Sequence, residues 1–188
     1  MKTPPALETL LSRVSVSRVG GAVPSAAVMA NIFKAGLRAP DHASLKPWRY
    51  LTVSGTRREK LGDLFVKAKL SEDPHLENTA VTKLKSKPLR APLVIVVVAV
   101  ICDHPKVPEV EQILSAGASA QNMLIAAHMQ NIGAMWRTGA MTYHPVVRDG
   151  LGLRDHERII GFLYLGEIEG KTRLIPELDV DQYVTDWT

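Results

Sequence analysis

Apolar residues recur in several parts of the chain at the spacing of an amphipathic helix. Pro24 and Ser25 are typical of a helix start, and Pro40 forces the residue before it out of the helical conformation. The longest regular pattern ends near Asn131. The sequence therefore predicts helices over 6–13, 24–39, 56–70, 108–131 and 145–150.

Shorter runs rich in β-branched residues predict strands between these helices. The run from Pro92 to Ile101 is almost continuously apolar, which is typical of a strand covered on both faces. The polar segment 71–90 has no clear pattern, and the tail from Gly166 to Thr188 is expected to be an arm over the surface or over a partner subunit. The predicted strands are 49–53, 92–101, 133–136 and 159–165.

Helices and strands in this order indicate an α+β or mixed α/β fold built as a layered sandwich. The chain has no internal repeat, no low-complexity segment and no linker that would divide it. A length of 188 residues is enough for one well-buried core and short for two. We therefore expect a single domain over 1–188.

Composition and charge narrow the class of protein only slightly. Hydrophobic residues make up 46% and charged residues 22%, which are ordinary values for a globular protein. The net charge of +4 suits a phosphate-bearing cofactor or a nucleic acid, or is simply a basic surface. The densest basic stretch, Lys83 to Arg90, lacks the interleaved aromatic residues of a nucleic-acid binder.

Cysteine usage and the apolar runs bear on the compartment. The single cysteine, Cys102, excludes an internal disulfide. The N-terminus lacks the apolar core of a signal peptide, and the run from Leu93 to Cys102 is too short to cross a bilayer. The sequence predicts a cytoplasmic protein without a membrane partner.

Familiar catalytic and metal-binding motifs are absent from the sequence. There is no P-loop, no G-x-G-x-x-G after a strand and no G-x-S-x-G. The six histidines do not have the spacing of metal ligands. We therefore predict no metal site, and no G-x-S-x-G turn presents a serine nucleophile.

Three short segments combine groups that can bind a ligand. Ser12–Arg18 carries two arginines and three hydroxyl groups that could donate to a phosphate, although a solvated loop has the same composition. Arg38–Trp48 is a polar loop with two prolines, and Trp136–Gly139 places a guanidinium, a hydroxyl and open backbone at a strand end. A plain connector anchored by Trp48 and an ordinary strand end are the alternatives for the last two.

The helix over 108–131 has a centre made only of small residues, from Ser115 to Ala120. Small residues let another backbone come close, which suits a central helix packed tightly against a neighbour. An ordinary core helix that happens to be rich in alanine fits the same pattern.

Taken together, these segments resemble the nitroreductase family, in particular its minimal-length bacterial members without a large helical insertion. The resemblance runs through nearly the whole chain, and it depends on the order and spacing of the segments more than on any one of them. The matching segments are Arg13–Arg18, Arg38–His42, Lys46–Trp48, Lys106–Pro108, Glu111–Gln112, Ser115–Gly117, Trp136–Gly139 and Ile160–Gly166.

The resemblance implies an α+β fold with a mixed central sheet flanked by helices, and a homodimer with FMN bound at the subunit interface. One subunit would contribute its N-terminal segment and the end of a strand, and the partner would contribute the Pro-x-His loop. The implied FMN contacts are Arg13, Val14 and Ser15, then Arg38 and His42 from the partner subunit, and Trp136, Arg137 and Thr138. Arg137 is the best candidate for the phosphate.

A further segment resembles one that has been proposed in relatives to contact the nicotinamide nucleotide. It lies at the end of the long central helix and consists of Ala126, Ala127, His128, Met129, Gln130 and Asn131.

The chain departs from the family pattern near the N-terminus. Relatives commonly carry two adjacent arginines at the start of the first motif, whereas here the second position is Val14. Many also have a basic residue at the position of Ser17, and here the arginine is Arg18. Lys171 and Arg173 resemble a C-terminal pair that binds phosphate in longer relatives and could compensate, unless they belong to a solvated tail.

The function implied by the resemblance is hydride transfer from NAD(P)H through FMN to an oxidised acceptor such as a nitroaromatic or a quinone. Positive groups near the flavin N1/O2 edge would stabilise the reduced form, and Arg18 and Arg38 are both candidates. The alternatives are a flavin-sequestering protein of the same fold without turnover and a nucleic-acid-binding domain.

Overall fold

The computed structural model describes residues 3–187 and contains seven α-helices and five strands in that range. The helices are α1 (Pro5–Ser12), α2 (Ala26–Gly36), α3 (Arg57–Glu72), α4 (Asn78–Ser86), α5 (Glu109–Met129), α6 (Ala140–Tyr143) and α7 (Pro145–Gly150). The strands are β1 (Val19–Gly20), β2 (Trp48–Ser54), β3 (Leu93–Val100), β4 (Gly133–Arg137) and β5 (Glu157–Ile168).

The five strands form one sheet in which β3 lies between β2 and β5, and both β1 and β4 pair with β5. The predicted α+β class with a central sheet flanked by helices is confirmed. The sheet differs from the expected mixed sheet in one respect, because each of the four described pairings is antiparallel.

The apolar run of β3 is covered on both faces, as predicted. All residues from Val94 to Ala99 have no exposed surface. Successive side chains of a strand point to opposite faces. Val94, Val96 and Val98 accordingly pack in the cluster that contains the side chains of α3 and α7, and Ile95 and Val97 pack in the cluster that contains α2 and α5.

The predicted helices are confirmed with small shifts at their ends. Ser25 caps α2, because its hydroxyl accepts a hydrogen bond from the Val28 N–H. Two helices were missed. α4 lies in the segment without a clear pattern and buries only Leu84, and α6 has a single turn.

An ion pair between Arg49 and Glu157 stabilises the sheet at the start of β5. The Glu157 carboxylate is fully buried and accepts hydrogen bonds from Arg49 Nε at 2.6 Å and Arg49 Nη2 at 2.8 Å. The Arg154 N–H donates to the same carboxylate at 2.8 Å. The Arg49 hydrogen bonds are the main reason that the pKa of Glu157 falls to about 2. Arg49 belongs to β2, so the pair ties β2 to β5 across β3.

Beyond β5 the chain continues as an exposed tail over residues 169–187, with one short 3₁₀ turn at Val180–Gln182.

α5 is the longest helix, at 21 residues, and it has Glu109 and Glu111 in its first turn. None of the helices within residues 3–187 combines the length and apolar character needed to cross a lipid bilayer.

Candidate functional site

A small cavity, called cavity 1 below, lies between the end of α1, the C-terminal part of α5 and the start of the tail. It has a volume of about 140 Å³. Three of its side chains can carry positive charge, namely Arg13, His128 and Arg173, and two carry hydroxyl groups, namely Ser12 and Thr172. None of the described residues lining it is acidic. The remaining lining residues are Val14, Val16, Leu124, Ile132, Ala134, Ile168 and Ile175.

A larger cavity, cavity 2, lies where β4 ends. It measures about 450 Å³ and contains the backbone turn from Trp136 to Gly139. Arg137, Lys87 and Arg90 supply three basic groups, and again no described lining residue is acidic. The wall is completed by Phe65, Met135, Met141, Phe162 and Tyr164.

The electrostatics of cavity 2 favour an anionic or electron-rich ligand. Burial, followed by the nearby charges of Arg90 and Lys83, lowers the pKa of Lys87. The Arg137 guanidinium lies 5.5 Å from the centre of the Tyr164 ring, and its Nε atom is buried without a hydrogen-bond partner among residues 3–187. An unpaired buried donor beside other cations is the arrangement that a bound anion would satisfy.

Both cavities border β4, and they are lined by successive residues of this strand, whose side chains point to opposite faces of the sheet. Ala134 lines cavity 1, and Met135 begins the wall of cavity 2. The segment after α1 is fixed to the same strand, because the Val16 N–H donates to the Ala134 carbonyl at 3.0 Å. At the far end, Gly139 has φ +98° and no atom within 4 Å of where a Cβ would lie, so the backbone there is open to a ligand.

Trp136 has a structural role besides its place in the wall. Its Nε1 donates to the Ile160 carbonyl at 3.3 Å. Gly161 makes room for the indole, because a Cβ at that position would be 2.1 Å from Nε1. The ring therefore holds β4 in position against β5.

The predicted residues of the first segment are only partly brought together. Arg13 and Val14 line cavity 1, and Ser15 is half-buried but lines neither cavity. Arg18 and Ser17 are exposed. Of the C-terminal pair, Arg173 lines cavity 1 and Lys171 does not.

The loop with Arg38 and His42 lies away from both cavities of its own chain. Both residues are exposed, and His42 Nδ1 is 2.7 Å from Glu111 Oε2 on α5. The backbone is strained, with positive φ at Ala43, Ser44 and Lys46. The Asp41 carboxylate stabilises this conformation by accepting hydrogen bonds from the Leu45 and Lys46 N–H groups, a feature common where loops are held for function.

Some side chains of the segment 126–131 are buried or hydrogen-bonded within the fold, and others are exposed. Ala127 is fully buried in the core. The Gln130 side chain accepts from Asn31 Nδ2 at 3.0 Å and donates to the Ala126 carbonyl at 2.9 Å, which ties α5 to α2. Met129 and Asn131 are exposed, and Asn131 turns the chain out of the helix with φ 57°.

Lys87, Arg90 and Tyr164 were missed as site residues. The dense basic stretch that ends at Arg90 was the available signal, but only the packing of the 3₁₀ turn Lys87–Arg90 beside the end of β4 makes it part of a cavity. No group of three or more His, Cys, Asp or Glu side chains suited to a metal ion occurs between residues 3 and 187.

Helices packed on an antiparallel sheet define an α+β protein, and its two basic cavities are candidate sites for an anionic ligand. The sequence profile of the nitroreductase family matches residues 10–167. The chain therefore belongs to the nitroreductase family.

Individual relatives agree with this assignment. The chain is 41% identical over 161 residues to YdjA of Escherichia coli (strain K12), which carries a provisional assignment as an NAD(P)H nitroreductase, with 86% of this chain and 87% of that protein covered. The crystal structure of a nitroreductase-like family protein from Bacillus cereus superposes with a TM-score of 0.85 at 21% identity, covering 100% of this chain and 98% of the other. A nitroreductase with bound FMN from Bacteroides fragilis NCTC 9343 gives a TM-score of 0.74 at 21% identity, covering 99% and 100%.

Proposed function

We propose that this protein is an FMN-dependent oxidoreductase that passes hydride from NAD(P)H to an oxidised acceptor such as a nitroaromatic or a quinone. The observation that carries the proposal is the pair of basic cavities that border β4, in which none of the described lining residues is acidic and Arg137 Nε has no partner among residues 3–187. Family membership and the FMN-containing structural relative support the same conclusion.

The sizes of the cavities indicate how the chain would hold the cofactor. Cavity 1, at about 140 Å³, has room for a phosphate group but is smaller than the 300–1,000 Å³ or so of sites for larger ligands. Arg13 and Arg173 would hold the phosphate there. Cavity 2, at about 450 Å³, has room for a ring system, and the turn from Trp136 to Thr138 would line it.

In this arrangement Arg137 serves the ring end of the site instead of the phosphate end. FMN, when bound, supplies the hydride chemistry. Lys87, Arg90 and Arg137 would present fixed positive charge to the ring, which stabilises an anionic reduced cofactor without reorganisation. No side chain is assigned as a nucleophile or general base.

We propose further that the protein works as a homodimer, with Arg38 and His42 reaching the cofactor of the partner subunit. Their loop is exposed, strained and outside both cavities of its own chain, so it is available for another subunit. Apolar side chains on α1 and on the tail are exposed as well, and they offer surface that a second copy would cover.

The nicotinamide nucleotide is proposed to approach the segment 126–131 through its free side chains, Met129 and Asn131. We place the reaction in the cytoplasm.

An absorbance spectrum of the purified protein from about 300 to 550 nm tests the proposal, recorded before and after anaerobic addition of NADPH or NADH. Flavin bands that bleach are expected. Bands that persist with both donors would favour the flavin-sequestering alternative. A protein without flavin bands even after addition of FMN would overturn the proposal. Arg13→Ala and Arg137→Ala are expected to reduce the bound flavin, and Arg57→Ala, which changes an exposed arginine that lines neither cavity, is the matched control.

A further inference from the structure

His128 in cavity 1 makes a hydrogen bond whose direction can be worked out. Its Nε2 atom lies 3.1 Å from the Ser12 hydroxyl oxygen. The same hydroxyl donates its only hydrogen to the Thr9 carbonyl at 3.1 Å. With that hydrogen on the Thr9 carbonyl, the Ser12 oxygen accepts from His128, which favours the tautomer with the proton on Nε2.

This tautomer leaves Nδ1 as the open position of the ring. Nδ1 has no hydrogen-bond partner among residues 3–187, so it is free to contact a ligand in cavity 1. His128 thus differs from Gln130, two residues further on, whose side chain is fully committed to the α2–α5 contact.

The charged side chains among the described residues that line cavity 1 with His128 are both basic. Arg13 faces the cavity from the segment after α1, and Arg173 faces it from the tail. The lining residues contributed by α5, β4 and β5 are apolar apart from His128 itself. Three groups that can be cationic around about 140 Å³, with two hydroxyls, form a site that an anion of phosphate size would neutralise.

We propose that His128, held by Ser12, binds the phosphate monoester of the flavin and makes the protein select FMN over riboflavin. This inference rests on the proposed function and deepens it. It moves His128 from the expected nucleotide contact to the flavin site. A phosphate monoester also occurs in NADPH, so the test must separate the two sources.

The experiment measures dissociation constants of the apoprotein for FMN and riboflavin by flavin fluorescence quenching. His128→Leu is expected to weaken FMN about tenfold to a hundredfold, as for loss of a hydrogen bond to a charged group, and to change riboflavin less than about twofold. His128→Arg keeps a cationic donor and should retain the preference for FMN. His75→Gln, an exposed histidine between α3 and α4, is the matched control and should change neither constant.

The results distinguish this inference from the proposed function. Equal weakening of FMN and riboflavin by His128→Leu, or an unchanged FMN constant in a variant with wild-type circular dichroism, would overturn the role of His128 alone. Loss of NADPH binding with NADH and FMN unaffected would assign the residue to the nucleotide and overturn the inference as well. A wild-type protein that binds neither flavin would overturn both.

Discussion

The body of the protein buries its core apolar side chains, whereas the C-terminal tail leaves its apolar side chains exposed. In β5, all residues from Gly161 to Gly166 are buried, and from Glu167 to Trp187 every residue is exposed. The tail is nevertheless apolar at many positions. Its exposed large side chains are Leu174, Ile175, Leu178, Val180, Tyr183, Val184 and Trp187, the last of which is 99% exposed.

The body completes its own core, whereas the apolar side chains of the tail need another surface to be buried. Fully burying one such side chain contributes about 1.5–3 kcal/mol, so seven exposed ones represent a large unused contribution. The tail also returns to the body at cavity 1, through Thr172, Arg173 and Ile175. Its first part therefore belongs to the candidate site, and its later part is the surface that we expect a partner subunit to cover.

The largest effect on the body is expected from Glu157→Ala. The change removes all three hydrogen bonds of the buried carboxylate and leaves Arg49 without its partner. Breaking a buried pair costs about 3–5 kcal/mol, and Arg49 can still reach water, so we expect a loss near 3 kcal/mol in the free energy of unfolding. Urea unfolding measures it. Glu59→Gln, an exposed carboxylate, should stay within about 0.5 kcal/mol, and equal losses for both variants would contradict the role of the pair.

Acid should weaken the ion pair between Arg49 and Glu157 and so lower the free energy of unfolding. The pKa of Glu157 is lowered from 4.5 to about 2, so its stabilisation is complete above about pH 4.5 and is lost as the pH falls toward 2. At up to about 1.4 kcal/mol per pH unit, we expect roughly 2 kcal/mol to be lost over this window. Unfolding curves at a series of pH values measure the loss. Glu157→Gln should flatten that slope, and an unchanged slope would show that other carboxylates cause it.

The tail is tested by the triple substitution Leu178→Asp, Tyr183→Asp and Trp187→Asp. It keeps Arg173 and cavity 1, and it removes apolar surface that the body does not bury. We expect the dimer to weaken at least about 30-fold, roughly 2 kcal/mol, with the circular dichroism of the body unchanged. Sedimentation velocity measures the change. Gln182→Asp with Thr185→Asp adds charge without removing apolar groups and serves as the control, and a triple variant that sediments like the wild type would exclude the tail from the interface.

A smaller effect is expected from Gly117→Leu in the small-residue part of α5. A Cβ at this position would lie 3.9 Å from Trp136 Cη2, an ordinary contact, so alanine fits while leucine presses on the indole that positions β4. We expect Gly117→Leu to weaken FMN binding about tenfold and to dissociate the dimer, and Gly117→Ala to do neither. Gel filtration with detection at a flavin wavelength follows both. A leucine variant that stays dimeric and yellow would refute the link between this helix and the site.

Much of the fold could be predicted because its longest helices and its central strand have clear local sequence patterns. The unbroken apolar run of β3 predicts a strand that is covered on both faces. The full burial of Val94 to Ala99 confirms this prediction. α4 could not be predicted, since one buried leucine does not produce a helical pattern. The direction of strand pairing depends on connections between distant segments, and the expected mixed sheet was wrong for that reason.

The candidate site could be predicted only as separate pieces. Arg13 and Arg137 were proposed from short motifs, and each lies in a basic cavity. Lys87 lies in the same cavity as Arg137 only because a 3₁₀ turn packs beside β4. No local sequence pattern predicts this packing. The direction of the His128 hydrogen bond likewise depends on Ser12 and Thr9, which lie on another helix.

The central position of β5 also has a kinetic consequence. This strand pairs with β1, β3 and β4, so three of the four strand pairings wait for residues 157–168. During synthesis the sheet cannot close until nearly the whole chain has left the ribosome, and contacts of such long sequence separation are slow to form. β3 therefore waits for its partner β5 while residues 101–168 are made, and its apolar side chains are exposed during that interval. Refolding from urea should accordingly be a slow process that is prone to aggregation.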